Sequence, residues 1–233
     1  MTPKIYAHRG ASAHAPENTN AAFQLALDQH ADGIELDVML SVDGNIVVIH
    51  DDTVDRTTNG SGRVREMSLE QLRSLDAGSG ERIPTLEEVL EHFGGKFLIN
   101  IELKNYATIF DTLPLKVAEL IKSFELVESI LISSFNPFNF ARIRRRLPNL
   151  KIGLLTQPQK AKFWMWRLFK YDALNPHFSD VDETLVKALH ARGLQVNVWT
   201  PDDAEEIIRL AALHVDGIIT NRPQRTREIL ESC

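Results

Sequence analysis

The segment Leu40-Ser41-Val42-Asp43-Gly44-Asn45, residues 40–45, decides the fold of this chain. It separates two apolar β-type runs, 33–39 and 45–50, by a loop too short for a helical crossover, and it carries the glycine that a tight turn favours. The two runs are read as an antiparallel hairpin with Leu40 opposite Asn45. That register sets His50 opposite Glu35 and on the same face as Asp37.

Outward from the hairpin, further strand candidates fall at 4–8, 97–103, 128–133, 150–155, 172–174, 194–199 and 215–219. Helix candidates fall at 19–30, 68–76, 85–93, 111–124, 137–147, 158–169, 182–191, 202–212 and 223–231. Ser68 with Gln71 and Thr85 with Glu88 fit the capping box, and Asn136-Pro137 and Thr200-Pro201 place a cap residue before a proline. Strands alternating with helices of this length call for a parallel sheet. Nine strand candidates less the returning hairpin strand leave eight, the count of a TIM (β/α)8 barrel. A doubly wound open sheet is the alternative, but no Gly-x-Gly-x-x-Gly turn and no Walker-type loop supports it. Residues 1–233 are read as one barrel domain, with 51–82 as an insertion after the hairpin.

Composition narrows the function classes. The chain has 233 residues, 43% of them hydrophobic, which suits one domain of barrel size with an ample core. Its net charge is −6 and its longest basic group is Arg142-Ile143-Arg144-Arg145-Arg146, so nucleic acid is not expected as a partner. The one cysteine is Cys233, which leaves no intrachain disulfide and favours a reducing compartment. No basic segment followed by a long apolar run precedes the first strand, and no run reaches the ~20 apolar residues that span a bilayer. A cytoplasmic protein without stable membrane insertion is expected. The stretch 163–169, Phe163-Trp164-Met165-Trp166-Arg167-Leu168-Phe169, is apolar nearly all round a helical wheel. It reads first as a buried helix face, and second as a homodimer or lipid-facing patch.

Chemistry gathers at strand ends. His8 and Arg9 close the first run, Glu35 and Asp37 lie in the second, His50 and Asp51 close the third, and Glu102 and Lys104 close the fourth. A carboxylate inside a buried strand costs several kcal/mol unless it is paired or metal-bound. In a barrel, catalytic groups come from the C-terminal ends of several strands. Glu35, Asp37 and Glu102 facing one point would repel one another, and Arg9 and Lys104 cannot neutralise all three. One hard divalent cation, Mg²⁺ or Ca²⁺, would. His8 and His50 suit acid–base work, Arg9 and Lys104 suit a phosphoryl group, and Trp199 is placed to pack on a ligand. Together they point to phosphoester hydrolysis. His177 follows a strand and a proline and could line the mouth, whereas His14, His30, His92, His190 and His214 read as solvated residues. No Gly-x-Ser-x-Gly elbow supports a serine hydrolase.

These residues carry a family resemblance. His8-Arg9-Gly10, Pro16-Glu17-Asn18-Thr19, Glu35-Leu36-Asp37, His50-Asp51, Asp55-Arg56-Thr57-Thr58-Asn59-Gly60, Ile83-Pro84-Thr85-Leu86-Glu87-Glu88-Val89-Leu90, Glu102-Leu103-Lys104 and Val198-Trp199-Thr200 resemble the glycerophosphodiester phosphodiesterase family, in its order and over most of the chain. The resemblance implies a TIM barrel that cleaves a small-molecule glycerophosphodiester, such as glycerophosphocholine or glycerophosphoethanolamine, to glycerol 3-phosphate and an alcohol. It implies Glu35, Asp37 and Glu102 as metal ligands, His8 and His50 as the acid–base pair, and Arg9 and Lys104 as phosphate contacts. Thr200-Pro201-Asp202 departs from the family's usual continuation, which is expected to bear on the substrate pocket and not on the chemistry. Two other functions compete: a lysophospholipid-directed, phospholipase D-like phosphodiesterase and a catalytically silent phosphate-binding barrel.

Overall fold

The computed structural model describes residues 2–106 and 110–232, so Cys233 lies outside the described residues. Nine strands form one sheet: β1 (Lys4–His8), β2 (Gly33–Leu40), β3 (Ile46–Val48), β4 (Leu98–Leu103), β5 (Ile130–Ser134), β6 (Lys151–Thr156), β7 (Ala173–Pro176), β8 (Gln195–Trp199) and β9 (Gly217–Thr220). All but β3 pair in parallel, and β1 bonds to both β2 and β9, which closes an eight-stranded barrel. The TIM barrel expected from the sequence is the observed architecture.

Helices connect the successive parallel strands except β6 and β7, and one follows β9: α1 (Asn20–Asp28), α2 (Leu69–Arg73), α3 (Leu86–Phe93), α4 (Leu113–Ser123), α5 (Phe138–Arg144), α6 (Glu183–His190), α7 (Ala204–Ala212) and α8 (Pro223–Glu231). Both expected capping boxes form, at Ser68 and Thr85. At Asn136-Pro137 the cap position of α5 falls on Pro137, one residue later than expected, and the Asn136 side chain accepts from the Phe138 amide just ahead of the helix. At Thr200-Pro201 the expectation fails. Helix α7 starts at Ala204 with Asp203 as its cap, because Asp202 is drawn aside to Thr220 and Asn221 at the end of β9.

Alternation along the strands divides the barrel into an apolar outside and a polar lumen. In β2, Ile34, Leu36 and Val38 join the core under the helices, and Glu35 and Asp37 take the opposite face. In β4, Ile99, Ile101 and Leu103 do the same and leave Asn100 and Glu102 on the other side. The lower lumen is closed by the Tyr6 ring, which needs glycine beside it. A Cβ on Gly33 would lie 2.7 Å from that ring.

The hairpin forms, but in a different register. Val38 pairs with Val48, Met39 with Val47 and Leu40 with Ile46, one residue away from the expected alignment. The cause is the turn: the Ser41 amide donates to the Asn45 carbonyl, and Gly44 adopts φ +79°, giving a three-residue loop with a left-handed glycine. Continued in this register, His50 would face Leu36 and the barrel exterior. The ladder instead stops after the Ile49 amide bonds the Asp37 carbonyl, and the chain bends at His50.

Residues 51–82 run between β3 and α3 and build a second apolar cluster with the hairpin: Met39, Val47, Ile49, Val54, Val64, Leu72, Ala77 and Ile83. This insertion is therefore anchored to the strand that leads to His50. The expected helix at 158–169 does not form. Only a 3-10 turn, Trp164–Leu168, appears, and it lies on the surface, with Trp164 64% exposed. A segment apolar on every side needs cover on every side, and no layer lies outside this loop to supply it.

Candidate active site

Parallel registers set the acids side by side. His8 aligns with Glu35, Glu35 with Asn100, Asp37 with Glu102, and Glu102 with Ser133. Carboxylate oxygens of Glu35, Asp37 and Glu102 all lie within 4.8 Å of one another, and all three residues are buried. A cavity of about 190 Å³ opens above them, lined among others by His8, Arg9, His50, Lys104, Phe135 and Trp199. Of the residues singled out from the sequence, His8, Arg9, Glu35, His50, Glu102, Lys104 and Trp199 line this cavity, and Asp37, Asp51 and His177 are not among its lining residues. A larger hollow of about 780 Å³ opens at the opposite end of the barrel, between Lys4, Tyr6, His190 and Asp216, and is lined by none of Glu35, Asp37 and Glu102.

The cations are shared. Lys104 Nζ lies 3.0 Å from Glu102 and 3.7 Å from Asp37. Arg9 reaches Asp37 at 3.3 Å and Glu17 at 2.8 Å, so it is divided between two acids. Arg9 itself adopts φ +55°, an uncommon conformation for a residue with a side chain, and thereby donates its amide to Glu35 Oε2 at 3.2 Å. Burial raises the Glu35 carboxyl well above its ordinary range, and the charges of Asp37 and Glu102 push it further. Glu102 is raised by burial and by Asp37. For Asp37 burial is outweighed by Lys104 and Arg9, which hold it below the ordinary range.

This imbalance fits a divalent cation. The donor set is all oxygen, two carboxyls are held up by crowding that a positive ion would relieve, and the flanking cations fall short of the charge. The Asn100 Oδ1 and Ser133 Oγ atoms beside the acids are also buried without a hydrogen-bond partner among the described residues.

Both histidines have a defined proton. The Asn221 amide donates through Nδ2 to Asp202 at 2.6 Å, which points its Oδ1 at His8 Nδ1, 2.7 Å away. His8 Nδ1 therefore carries the hydrogen, and the Nε2 lone pair faces the acids, 3.9 Å from Glu35. Burial, with the charge of Arg9, lowers the His8 pKa to about 4. His50 donates from Nδ1 to Asp51 at 2.6 Å, leaving its other nitrogen for the cavity. Asp51 in turn accepts from Arg56 at 2.6 Å, and Arg56 bonds Glu17 at 2.7 Å. A continuous chain of ion pairs thus runs from His50 through the insertion to Arg9.

Asp202, expected to bear only on the substrate pocket, instead holds the partner of His8. Asn221, Ser133, Phe135 and Tyr106, whose hydroxyl bonds Glu102, also surround the acids and His8, although none stands out as an ionisable group ending an apolar run. Asn221 and Phe135 each follow an apolar strand, so the strand-end signal that found His8 would have found them. Trp199 packs edge-on to Phe135 at 5.9 Å and to His177 at 5.0 Å, and His177 itself is not among the residues that line the cavity.

Known proteins resemble this chain in sequence and fold. Residues 8–225 match the model of the glycerophosphoryl diester phosphodiesterase family. A glycerophosphodiester phosphodiesterase from Caldanaerobacter subterraneus subsp. tengcongensis is 43% identical over 96% of each chain. A phosphodiesterase structure from Oleispira antarctica, in complex with the product sn-glycerol-3-phosphate, superposes with a TM-score of 0.90 at 32% identity and covers 99% of this chain and 97% of its own. A glycerophosphodiester phosphodiesterase structure from Agrobacterium tumefaciens gives a TM-score of 0.83 at 34% identity, over 95% of this chain and 98% of its own.

Proposed function

This chain belongs to the glycerophosphoryl diester phosphodiesterase family, and we propose that its barrel mouth hydrolyses glycerophosphodiesters such as glycerophosphocholine or glycerophosphoethanolamine to sn-glycerol 3-phosphate and an alcohol. The observation that carries this reading is the convergence of three buried carboxylates between two oriented histidines.

Glu35, Asp37 and Glu102 would hold one divalent cation, Mg²⁺ or Ca²⁺, which when bound supplies Lewis-acid polarisation of the phosphoryl group. Arg9 and Lys104, at the rim of the acids, contact the phosphoryl oxygens and offset their charge. His8 accepts through Nε2 the proton of the attacking hydroxyl, whether water or the substrate's own glycerol 2-OH. His50, with Asp51 as counter-ion for its protonated form, delivers a proton to the departing oxygen as the P–O bond breaks. Trp199 and Phe135 wall the side of the cavity where the glycerol or the alcohol lies.

Purified protein with Mg²⁺ or Ca²⁺, offered a panel of glycerophosphodiesters and lysophospholipids, tests the reading through glycerol 3-phosphate release in a coupled dehydrogenase assay. Release from glycerophosphocholine without detergent supports it, and no release from any diester overturns it. The apolar rim on the same end of the barrel favours a second reading, in which the substrate is a lysophospholipid, and turnover confined to lysophospholipid micelles would select it.

A further inference from the structure

The loops after β4, β5 and β6 open on the same end of the barrel as the acid cluster. Among the described residues nine large hydrophobic side chains are exposed, and seven of them lie on these loops or at the first residue of α5. Scatter over the surface would not produce that concentration. Phe110 is 74% exposed and Leu168 68%. Ring contacts join the loops into one patch: Phe110 to Phe138 at 6.5 Å, and Phe138 to Phe169 at 6.0 Å. Residues 157–170 carry Lys160, Lys162, Arg167 and Lys170 and no acid, in a chain whose net charge is −6. Lys162 pairs with Asp182, and no ion pair engages the other three among the described residues.

We propose that this rim seats the open end of the barrel on an anionic lipid bilayer surface. Tryptophan, phenylalanine, methionine and leucine side chains enter the headgroup boundary, where an apolar body gains cover, and the cations outside the Lys162–Asp182 pair, Lys160, Arg167 and Lys170, face lipid phosphates. Charge decides between a lipid surface and a second copy of this chain. A two-fold dimer through this patch sets Lys160, Arg167 and Lys170 against their own copies. No helix of the described residues is long and apolar enough to cross a membrane. The docking surface is independent of which diester is cleaved.

Sedimentation of the full chain with vesicles of phosphatidylcholine, pure or mixed with phosphatidylglycerol, tests the proposal. The wild type is expected to pellet with the mixed vesicles and to be released by salt. Trp164→Ala with Leu168→Ala should lower the bound fraction about tenfold, as should Lys160→Glu with Arg167→Glu. Both variants should hydrolyse glycerophosphocholine in vesicle-free buffer like the wild type, which shows that fold and site are intact. A wild type that stays in the supernatant with both vesicle types overturns the proposal, as do variants that bind as well as the wild type. A wild-type dimer that the variants convert to monomer also overturns it and assigns the patch to a second copy.

Discussion

His8 Nδ1 and Asn221 Oδ1 lie 2.7 Å apart although 213 positions separate them in the chain. The contact joins the first strand of the barrel to the end of the last. Because Asp202 fixes the Asn221 amide, it also fixes which nitrogen of His8 is free. Asn221→Leu should lower kcat on the order of 10²-fold with little change in KM, since the ring loses its orienting acceptor but the phosphate contacts stay. Asp202→Ala, which removes the acceptor that fixes the Asn221 amide but leaves its Oδ1 in place, should cost a smaller part of the same loss. Steady-state kinetics on glycerophosphocholine check both.

Removing one acid should separate activity from stability. Glu35 is the carboxyl that burial and its neighbours push furthest towards its neutral form. Glu35→Gln matches the shape of that neutral form and should leave the melting temperature of metal-free protein within a few degrees. Turnover should fall by at least about 10³-fold, because a ligand for the cation is lost. Thermal denaturation in chelator, run beside the activity assay, measures the two effects.

The pH dependence follows from His8. A base must be neutral, and burial with Arg9 moves His8 from 6.5 to about 4. Its contribution to kcat/KM should stay constant as pH falls through 6.5 and be lost only near 4. Stability runs in the same direction. Between 6.5 and about 4 the unfolded chain binds a proton at His8 that the folded chain does not, so folding weakens as pH falls through that window. His8→Asn should flatten this part of the stability curve, as read by denaturant titration at several pH values.

Leaving-group dependence separates the two histidines. An aryl phosphodiester whose phenol is about as acidic as imidazolium needs little proton donation. His50→Ala should be largely rescued on it, while His8→Ala should remain slow by ~10²–10⁴-fold. Rescue of His8→Ala instead would exchange the roles.

Much of this site was legible because ionisable groups end apolar runs. Glu35, Asp37 and Glu102 stand out among Ile, Leu and Val, and period-two alternation alone turns them to one face. The eight-stranded count was legible from the short loop at 40–45. Its register was not, because a three-residue turn with Gly44 left-handed and a two-residue turn read alike in sequence, and one residue of slip reverses every face. His50 reaches the cavity through a bend after the ladder ends, not through the register that suggested it. Asn221 ends an apolar run, but its pairing with His8 and Asp202 carries no spacing signal, since the three meet only when the barrel closes. The loop at 163–169 misled because apolar content marks burial only where a layer exists to provide it.

The most direct measurement is glycerol 3-phosphate release from glycerophosphocholine by wild-type protein, followed as the metal is stripped with chelator and then restored with Mg²⁺ or Ca²⁺. Wild type should lose activity with the metal and regain it on addition, with about one ion bound per chain by elemental analysis. Asp37→Asn, stripped and reloaded in parallel, should remain inactive throughout. Full wild-type activity in excess chelator, with no metal in the protein, would contradict the assignment of Glu35, Asp37 and Glu102 to a cation.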